Sequence, residues 1–275
     1  MIELMRVNME DVTVLVSSCD KYGDLWDPFF TLLKKFWNPK YPIVLNTEAK
    51  EYSFIGLNIT TFQLFKNEPV EWSKRLRETL SHIHTEYVLT LLDDFFLEKP
   101  VDNEKIEECI KYMNQDKNIA AFYFVPIKDE EQDNKYPGFA KIKEDGEYRL
   151  NCQAALWRKD ILLMNLRDHE SAWLFETLGS RRNRRWHKDQ IFYCTKKDSS
   201  IFEYNVKEGG AVHRGKWNMH TVEMCKLNGI DIDTSIRGIN TMVSGSKKSL
   251  FHYYIHRLSP SIIFKAIDNR RKSYR

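Results

Sequence analysis

The sequence lacks the features that mark several classes of protein. Its five cysteines are odd in number and widely scattered, and they form no Cys-X-X-Cys or Cys/His ligand spacing. Neither a disulfide framework nor a structural zinc site is therefore predicted. There is no Pro/Gly/Ser-rich linker and no internal repeat of about 20–50 residues. The longest apolar stretch, 119–125, is far shorter than the ~20 residues of a membrane-spanning helix.

The amino-terminal sequence gives a prediction of the subcellular localisation. Residues 1–11 contain no apolar run after Arg6, so they do not resemble a secretory signal. We expect a cytoplasmic protein, because a reducing compartment also suits unpaired cysteines. The apolar and aromatic contents of 42% and 13% exclude a disordered chain and predict a substantial core.

The net charge of +3 is distributed unevenly. Residues 247–275 carry eight Lys/Arg and one Asp, a local charge of +7, and the remaining 246 residues carry −4. We predict one two-part domain over 1–245, with its halves at 1–100 and 101–245, followed by a basic tail (246–275).

The tail predicts an association with a membrane surface. Bulky apolar and aromatic residues interleave with Lys and Arg over two short helical stretches, which Pro260 separates. Such amphipathic segments lie on anionic membranes, which would hold the protein at the inner face of the cell membrane. The alternative is a terminal helix pair that packs on the body with a basic outer face, or that binds a protein partner.

Strand and helix patterns alternate along the chain. Strands are predicted at 12–18, 41–46, 59–65, 87–92, 119–126 and 148–157. Helices are predicted between them at 24–37, 71–84, 102–115, 159–166 and 171–178, and residues 129–145 are predicted as a polar loop. This alternation predicts an α/β fold with an open, mostly parallel sheet and helices on both faces. Sheets of this kind bind ligands at the carboxyl ends of their strands.

Two adjacent carboxylates, Asp93 and Asp94, follow one of these predicted strands. They lie between the apolar pairs Leu91-Leu92 and Phe95-Phe96. A buried carboxylate needs a cation or hydrogen-bond donors, and hard oxygen ligands suit Mg²⁺ or Mn²⁺. The alternative is a strand-end turn whose acids cap the next helix or face water.

The order of these motifs resembles the GT-A glycosyltransferases, most closely the family 2-like enzymes of bacterial polysaccharide assembly. The resemblance covers about residues 11–220 and rests on a strand, Ser-Ser-Cys-Asp, a helix, two strands, a helix with Lys-Arg, and a strand before Asp-Asp. It implies a Rossmann-like GT-A fold with a mixed, mostly parallel sheet and a C-terminal helical tail. It implies that residues 1–245 are a catalytic domain, with a nucleotide-binding half (1–100) and an acceptor half (101–245). It also implies a hexosyltransferase with a nucleotide-sugar donor and a saccharide or lipid-linked saccharide acceptor.

The same resemblance implies roles for individual residues. Residues at two strand ends would hold the nucleotide: Ser17, Ser18, Cys19, Asp20 and Asn46. Lys74 or Arg75 would lie near the ribose or pyrophosphate. The family motif is usually Asp-X-Asp, whereas this chain has Asp93-Asp94-Phe95. Asp94 would bind Mn²⁺ or Mg²⁺, and Asp93 would reach the ribose or a metal-bound water.

Two acids are candidates for a catalytic base. An inverting glycosyltransferase needs a carboxylate that takes the proton of the acceptor hydroxyl. Glu176 follows Trp173 on an aromatic-rich helix, where burial can raise a carboxyl pKa, and Asp189 lies at about the family's distance past the metal motif. The alternatives are an ordinary helix-face acid for Glu176 and a helix amino-terminal acid for Asp189.

Two basic segments follow in the sequence. The glycine-rich segment 209–217 contains His213, predicted from the resemblance as a second metal ligand, with Arg214 and Lys216 on the pyrophosphate. A plain glycine-rich surface turn is the alternative. The arginines within 181–188 form either a solvated face or a phosphate site.

Other classes of function fit the sequence less well. A nucleotidyltransferase acting on sugar phosphates can share the nucleotide-binding half, but it more often has a glycine-rich basic loop after the first strand. A nucleic-acid-binding protein is disfavoured by the acidic body and the lack of a known module, so no nucleic-acid partner is predicted. A non-catalytic membrane-docking protein remains an alternative.

Overall fold

The first hundred residues form the parallel half of a nine-stranded sheet. The computed structural model describes residues 11–66, 68–133 and 135–240. This half contains β1 (Val12–Ser17), β2 (Ile43–Asn46), β3 (Ile59–Phe62) and β4 (Tyr87–Leu92), in the spatial order β3-β2-β1-β4. β1 and β2 are completely buried, as expected for apolar runs that are covered on both faces. Ser17 pairs in register with both Asn46 and Leu92, so three carboxyl ends meet at one edge.

The second half of the sheet is mixed. It contains β5 (Ile119–Tyr123), β6 (Glu130–Glu131), β7 (Phe139–Ile142), β8 (Ala155–Arg158) and β9 (Ile191–Thr195), and the full order is β3-β2-β1-β4-β8-β5-β9-β7-β6. β8 lies antiparallel between β4 and β5, and β9 is parallel to β5. Within the described sheet, β7 and β8 run against the other strands. The predicted mixed, mostly parallel α/β sheet is confirmed.

Two details of this half differ from the sequence prediction. Residues 129–145 were expected as a loop, but they contain β6 and β7 at the edge of the sheet. Exposed acids in β6 fit an edge strand, where charge discourages pairing with another chain. The predicted strand 148–157 is extended only from Ala155, because Asn151 Nδ2 donates to the Tyr148 carbonyl at 3.0 Å and turns the chain.

Helices cover both faces of the sheet, as the alternation predicts. They are α1 (Trp26–Phe36), α2 (Trp72–Ser81), α3 (Asn103–Gln115) and α4 (Lys159–Asn165). α1 buries its aromatic stripe and ends before Asn38, whose φ of 47° is the left-handed conformation common after helix ends. α3 is capped by Asp102, whose carboxylate accepts the amides of Glu104 and Lys105.

A longer helical run follows α4. It consists of α5 (Ala172–Leu174), a π-helical turn (Phe175–Gly179) and α6 (Ser180–Trp186). The sequence predicted its first part, and Ser171 caps it by accepting the Leu174 amide at 3.3 Å. The π-helical turn inserts an extra residue and therefore rotates the side chains that follow.

The chain divides into two compact units, Met1–Tyr204 and Asn205–Arg275. The first unit contains the sheet. The described part of the second contains a hairpin of β10 (Val212–His213) and β11 (Lys216–Trp217), followed by α7 (Met219–Leu227). The predicted domain boundary at residue 245 and the predicted helical tail 246–275 lie outside the described residues. Among the described helices, none has the length and apolar character needed to cross a bilayer.

Candidate functional site

The carboxyl edge of the parallel strands brings together several of the predicted site residues. Ser17 ends β1, Asn46 ends β2, and Asp93 follows β4 by one residue. All three side chains are buried. This convergence follows from the parallel pairing of the strands, and it matches the edge where sheets of this class bind ligands.

Each of the two serines at the end of β1 accepts a hydrogen bond from an indole. Trp26 Nε1 donates to Ser18 Oγ at 2.7 Å, and Trp72 Nε1 donates to Ser17 Oγ at 3.0 Å. The Ser18 hydroxyl in turn donates to Asp93 Oδ2. Ser18 thus contacts the carboxylate pair, whereas the sequence predicted it as a nucleotide contact.

Burial is the main cause of the raised pKa values of Asp93 and Asp94. Burial raises the pKa of Asp93 to about 8, with the neighbouring Asp94 charge adding to the rise and the Ser18 hydrogen bond opposing it. Burial also raises the pKa of Asp94 to about 7. Two adjacent carboxyl groups that resist ionisation in this way would be stabilised as carboxylates by a bound cation.

Asp94 has an oxygen without a partner. Its Oδ1 is buried and accepts no hydrogen bond. An unsatisfied buried acceptor is destabilising by about 1–3 kcal/mol, and a hard carboxylate oxygen is a ligand that Mg²⁺ and Mn²⁺ prefer. The residues present therefore fit a divalent cation at Asp94.

Asp20 holds the loop that follows β2. Its carboxylate accepts the backbone amides of Glu48, Ala49 and Lys50 at 3.0–3.2 Å. Partial burial acts to raise the pKa of Asp20, but these amide hydrogen bonds outweigh it and lower the pKa. The carboxylate predicted to contact a nucleotide is thus bound to the protein's own backbone.

Arg75 links the end of β1 to the same loop. Its Nη2 donates to the Ser18 carbonyl at 2.9 Å, and its Nη1 lies 2.9 Å from Glu48 Oε1. The side chain is buried, and its Nε has no hydrogen-bond partner. The preceding residue Lys74 places its ammonium group 4.9 Å from the centre of the Phe65 ring.

A cavity of about 500 Å³ opens beside these residues. This volume lies within the range of about 300–1,000 Å³ typical of small-molecule sites. Its walls combine polar and apolar side chains: Asp20, Glu48, Ala49, Leu64, Phe65, Glu68, Pro69, Val70 and Arg75. Arg75 in the wall of this cavity donates to the Ser18 carbonyl, and the Ser18 hydroxyl donates to Asp93.

Glu176 lies in the π-helical turn and reaches the same edge of the sheet. Its Oε1 accepts the backbone amide of Cys152 at 2.9 Å. Cys152 precedes β8, and because β8 is antiparallel to β4, the start of β8 lies at the carboxyl end of β4. Burial raises the pKa of Glu176, and the Cys152 hydrogen bond opposes the rise.

A second, water-sized cavity supports this placement. It has a volume of about 20 Å³. Cys152 and the neighbour of Glu176, Phe175, line it together with Ser17, Trp72 and Leu92. The Glu176 segment therefore packs against the ends of β1 and β4.

The structure does not bring Asp189 to this edge. Asp189 is exposed in the turn that precedes β9. β9 runs in the same direction as β4, so the start of β9 and the end of β4 lie at opposite edges of the sheet. Of the two predicted bases, Glu176 is the one at the edge of the sheet that carries the carboxylate pair.

His213, Arg214 and Lys216 lie at the tip of the hairpin in the second unit. His213 pairs across the hairpin with Lys216, and all three side chains are exposed. Arg214 and Gly215 have φ values of 52° and 80°, as the central residues of a two-residue type I′ turn require. Among the described residues, no group of three or more His, Cys, Asp or Glu is arranged to hold a metal.

The arginines of α6 do not form one anion site. Arg182 is buried in an ion pair with Glu170, and Arg184 Nη1 donates to the Asp145 carbonyl at 2.6 Å. Arg181 and Arg185 are exposed. The cluster that the sequence suggested is thus divided between structural and surface arginines.

Several residues of the site were not identified from the sequence. They are Trp26, Trp72, Glu48 and Cys152, which contact Ser18, Ser17, Arg75 and Glu176. One signal was present, because each tryptophan is the first residue of a helix that packs near the strand ends. The contact from Cys152 is made by its backbone amide, so the type of residue at this position does not predict it.

Comparisons with known proteins found similarity only among solved structures. No protein-family model and no curated protein matches the chain. Crystal structures of S. aureus TarS 1-349, alone and in complex with UDP, are 12% and 13% identical, each with a TM-score of 0.46 and covering 70% of this chain and 59% of that chain. A crystal structure of S. aureus TarS is 10% identical, with a TM-score of 0.47, and covers 96% of this chain and 54% of that chain. The chain thus corresponds to little more than half the length of these structures.

Proposed function

We propose that the protein is a glycosyltransferase of the GT-A type that moves a sugar from a nucleotide-sugar donor to a saccharide acceptor. The observation that carries this proposal is the unpartnered, buried Oδ1 of Asp94 next to the buried Asp93. An acid pair of this kind at the carboxyl edge of a parallel sheet suits a cation that is shared with a diphosphate.

The 500 Å³ cavity would accept the nucleotide of the donor. Phe65 lines this cavity and offers a ring for stacking. The buried guanidinium of Arg75 is paired with Glu48, but its Nε has no partner. This N–H would donate to a pyrophosphate oxygen, and such a charge-assisted hydrogen bond favours binding.

Asp94 would hold Mn²⁺ or Mg²⁺ through Oδ1. When bound, such an ion neutralises the charge that develops on the leaving nucleoside diphosphate. Asp93 would bind the donor ribose or a water of the ion. His213 as a second ligand, and Arg214 and Lys216 on the pyrophosphate, stay predictions from the sequence.

Glu176 would act as the general base. As the acceptor hydroxyl oxygen bonds to the anomeric carbon, its proton passes to Glu176 Oε2 and the bond to the diphosphate breaks, with the electron pair leaving on the diphosphate. The Cys152 amide fixes Oε1 and so orients the carboxylate. A raised pKa brings a carboxyl group closer to the optimum for proton transfer. One displacement of this kind inverts the anomeric configuration.

The acceptor would be a saccharide, with a lipid-linked saccharide at the inner face of the cell membrane as the favoured form. The support is the local charge of +7 over residues 247–275, because basic amphipathic segments bind anionic lipids. Sedimentation with phosphatidylglycerol vesicles tests this: replacing Arg270, Arg271 and Lys272 by alanine should weaken binding. Equal binding to phosphatidylcholine vesicles would contradict it.

Thermal unfolding with a panel of UDP-, GDP- and CMP-sugars, with and without Mn²⁺, tests the function. At least one donor class should raise the melting temperature in a Mn²⁺-dependent manner, since a ligand that binds the folded state stabilises it. Asp94→Asn should abolish the Mn²⁺-dependent part. Asp168→Asn is the matched control, because Asp168 is an exposed acid paired with Arg77.

Two results would contradict the proposal. One is a wild-type protein that responds to no donor, and the other is an Asp94→Asn variant that keeps the full response to Mn²⁺. Glu176→Gln should keep donor binding and lose sugar transfer, whereas Asp189→Asn should keep both.

A further inference from the structure

The Ser18 hydroxyl lies between an indole and a carboxylate. Trp26 Nε1 donates to Ser18 Oγ at 2.7 Å, and Ser18 Oγ donates to Asp93 Oδ2. All three residues are buried, with exposed fractions of 3%, 7% and 6% for Trp26, Ser18 and Asp93. Water therefore does not compete for these hydrogen bonds, and each bond is stronger than it would be at the surface.

The direction of this chain is determined by the chemistry of its members. An indole N–H can only donate, and a serine hydroxyl has a single proton. Trp26 occupies a lone pair of Ser18 Oγ, so the hydroxyl is left to donate. Its two acceptors are the Cys19 carbonyl at 3.4 Å and the much nearer Asp93 Oδ2, which is the better partner. Trp26 is the first residue of α1, so the position of a helix sets the orientation of Asp93.

The hydrogen bond from Ser18 restricts the orientation of the Asp93 carboxyl group. Rotation about χ2 of an aspartate exchanges its two oxygens, and this torsion is broad. Asp93 also lies directly before Asp94, so two carboxyl groups share this end of β4. The Ser18 hydroxyl holds one oxygen of the Asp93 carboxyl group, Oδ2. The position of the other oxygen, Oδ1, is thereby determined as well.

We propose that Trp26 and Ser18 are positioning residues that hold Asp93 by Oδ2 and so present Oδ1 to a hydroxyl or water of the bound ligand. Given the proposed function, on which this inference rests, that group is a ribose hydroxyl of the donor or a water bound to the ion at Asp94. Ser18 then acts through Asp93 and does not itself contact the nucleotide.

Tryptophan indole NMR signals of the full chain test, without any ligand, whether Ser18 links Trp26 to Asp93. The Trp26→Phe and Trp72→Phe variants assign the two indole N–H signals. Asp93→Asn should move the Trp26 signal more than the Trp72 signal, because the change passes through Ser18. In a Ser18→Ala background, Asp93→Asn should move the Trp26 signal less, because only the direct interaction of the indole with Asp93 remains, whereas a Ser18→Thr background should retain the full effect.

Ser17→Ala is the matched control. It removes a hydroxyl that also accepts an indole N–H, one residue away, and should leave the response of Trp26 to Asp93→Asn intact. If Asp93→Asn moves the Trp26 signal equally with and without the Ser18 hydroxyl, the proposed hold is wrong. Signal dispersion in each spectrum reports whether the variant is folded.

Mn²⁺ binding, measured by electron paramagnetic resonance in the presence of UDP, tests the consequence for the site. Ser18→Ala should weaken Mn²⁺ binding by about tenfold, as loss of outer hydrogen-bond partners does at metal sites. Ser18→Thr should bind Mn²⁺ nearly as the wild type does. Unchanged affinity in Ser18→Ala would overturn the positioning role. A wild type that binds no Mn²⁺ would instead count against the proposed function, and the indole signals would still decide whether the hold exists.

Discussion

Arg182 and Glu170 form a bidentate ion pair inside the first unit. Arg182 Nη1 lies 2.7 Å from Glu170 Oε1, and Nη2 lies 3.0 Å from Oε2. Both side chains are completely buried, at 1% and 0% exposed. The Glu170 carbonyl also accepts the Ser73 amide of α2 at 3.1 Å. The pair thus connects the helix that carries Arg75 to the helical run that carries Glu176.

Arg182→Met should destabilise the protein by about 3–5 kcal/mol, because it removes the cation that forms a bidentate ion pair with the buried Glu170 carboxylate. Chemical denaturation followed by tryptophan fluorescence measures this change. Arg181→Ala, an exposed arginine on the same helix, should change stability by less than about 0.5 kcal/mol. The double variant Arg182→Met/Glu170→Met should recover most of the loss, and a double variant as unstable as the single one would contradict this explanation.

Glu176→Gln should stabilise the protein at alkaline pH. Burial raises the pKa of Glu176 in the folded state, so the folded protein holds this proton to a higher pH than the unfolded chain does. Stability is therefore lost as the pH rises from the unfolded pKa through the folded one. Melting temperatures measured from pH 4 to 9 should show that the stability of the variant, relative to that of the wild type, increases as the pH rises through this range. Glu147→Gln, at a carboxylate that is 71% exposed, serves as the control, and an equal gain there would exclude burial as the cause.

Asp20→Ala should destabilise the loop after β2 at neutral pH, by about 1 kcal/mol for the lost hydrogen bonds. Amide hydrogen bonds outweigh partial burial and lower the pKa of Asp20. Its contribution is therefore present above the unfolded pKa and is lost as the pH falls through the folded one. Amide hydrogen exchange of Ala49 and Lys50 should accelerate in the variant. Asp198→Ala, at an exposed turn, should leave these amides protected, and unchanged exchange in Asp20→Ala would show that the carboxylate does not hold the loop.

Arg214→Asn should stabilise the hairpin of the second unit. Arg214 has a φ of 52°, a conformation that asparagine adopts more readily than arginine, and Asn-Gly is the preferred type I′ sequence. The gain should be a few tenths of a kcal/mol to about 1 kcal/mol. Gly215→Ala should have the opposite effect, since Gly215 has a φ of 80°, which alanine disfavours. The added methyl would meet no atom within 4 Å, so backbone strain alone would cause the loss. NMR shifts of Val212 and Trp217 report the paired hairpin, and destabilisation by Arg214→Asn would contradict the turn assignment.

Several parts of the fold and site could be predicted from local sequence. Buried strands with apolar, β-branched residues, such as β1 and β4, are recognisable because their burial on both faces demands that composition. The Asp93-Asp94 pair is recognisable because acids after such a strand lie at its carboxyl end. The edge strand β6 was missed because it consists of two exposed glutamates. Its neighbour β7 was missed because its buried residues Phe139, Ala140 and Ile142 form only a short stretch within a charged segment.

The sequence by itself determined the parallel half of the sheet and the carboxylate pair at its edge, since both depend on short stretches of chain. Only the tertiary structure decided which residues face that edge. The antiparallel insertion of β8 between β4 and β5 places Glu176 at the same edge as the pair and Asp189 at the opposite edge. The hydrogen bonds of Asp20, Arg75 and Ser18 join residues far apart in the chain. Such contacts depend on how strands and helices pack, which the spacing of residue types does not record.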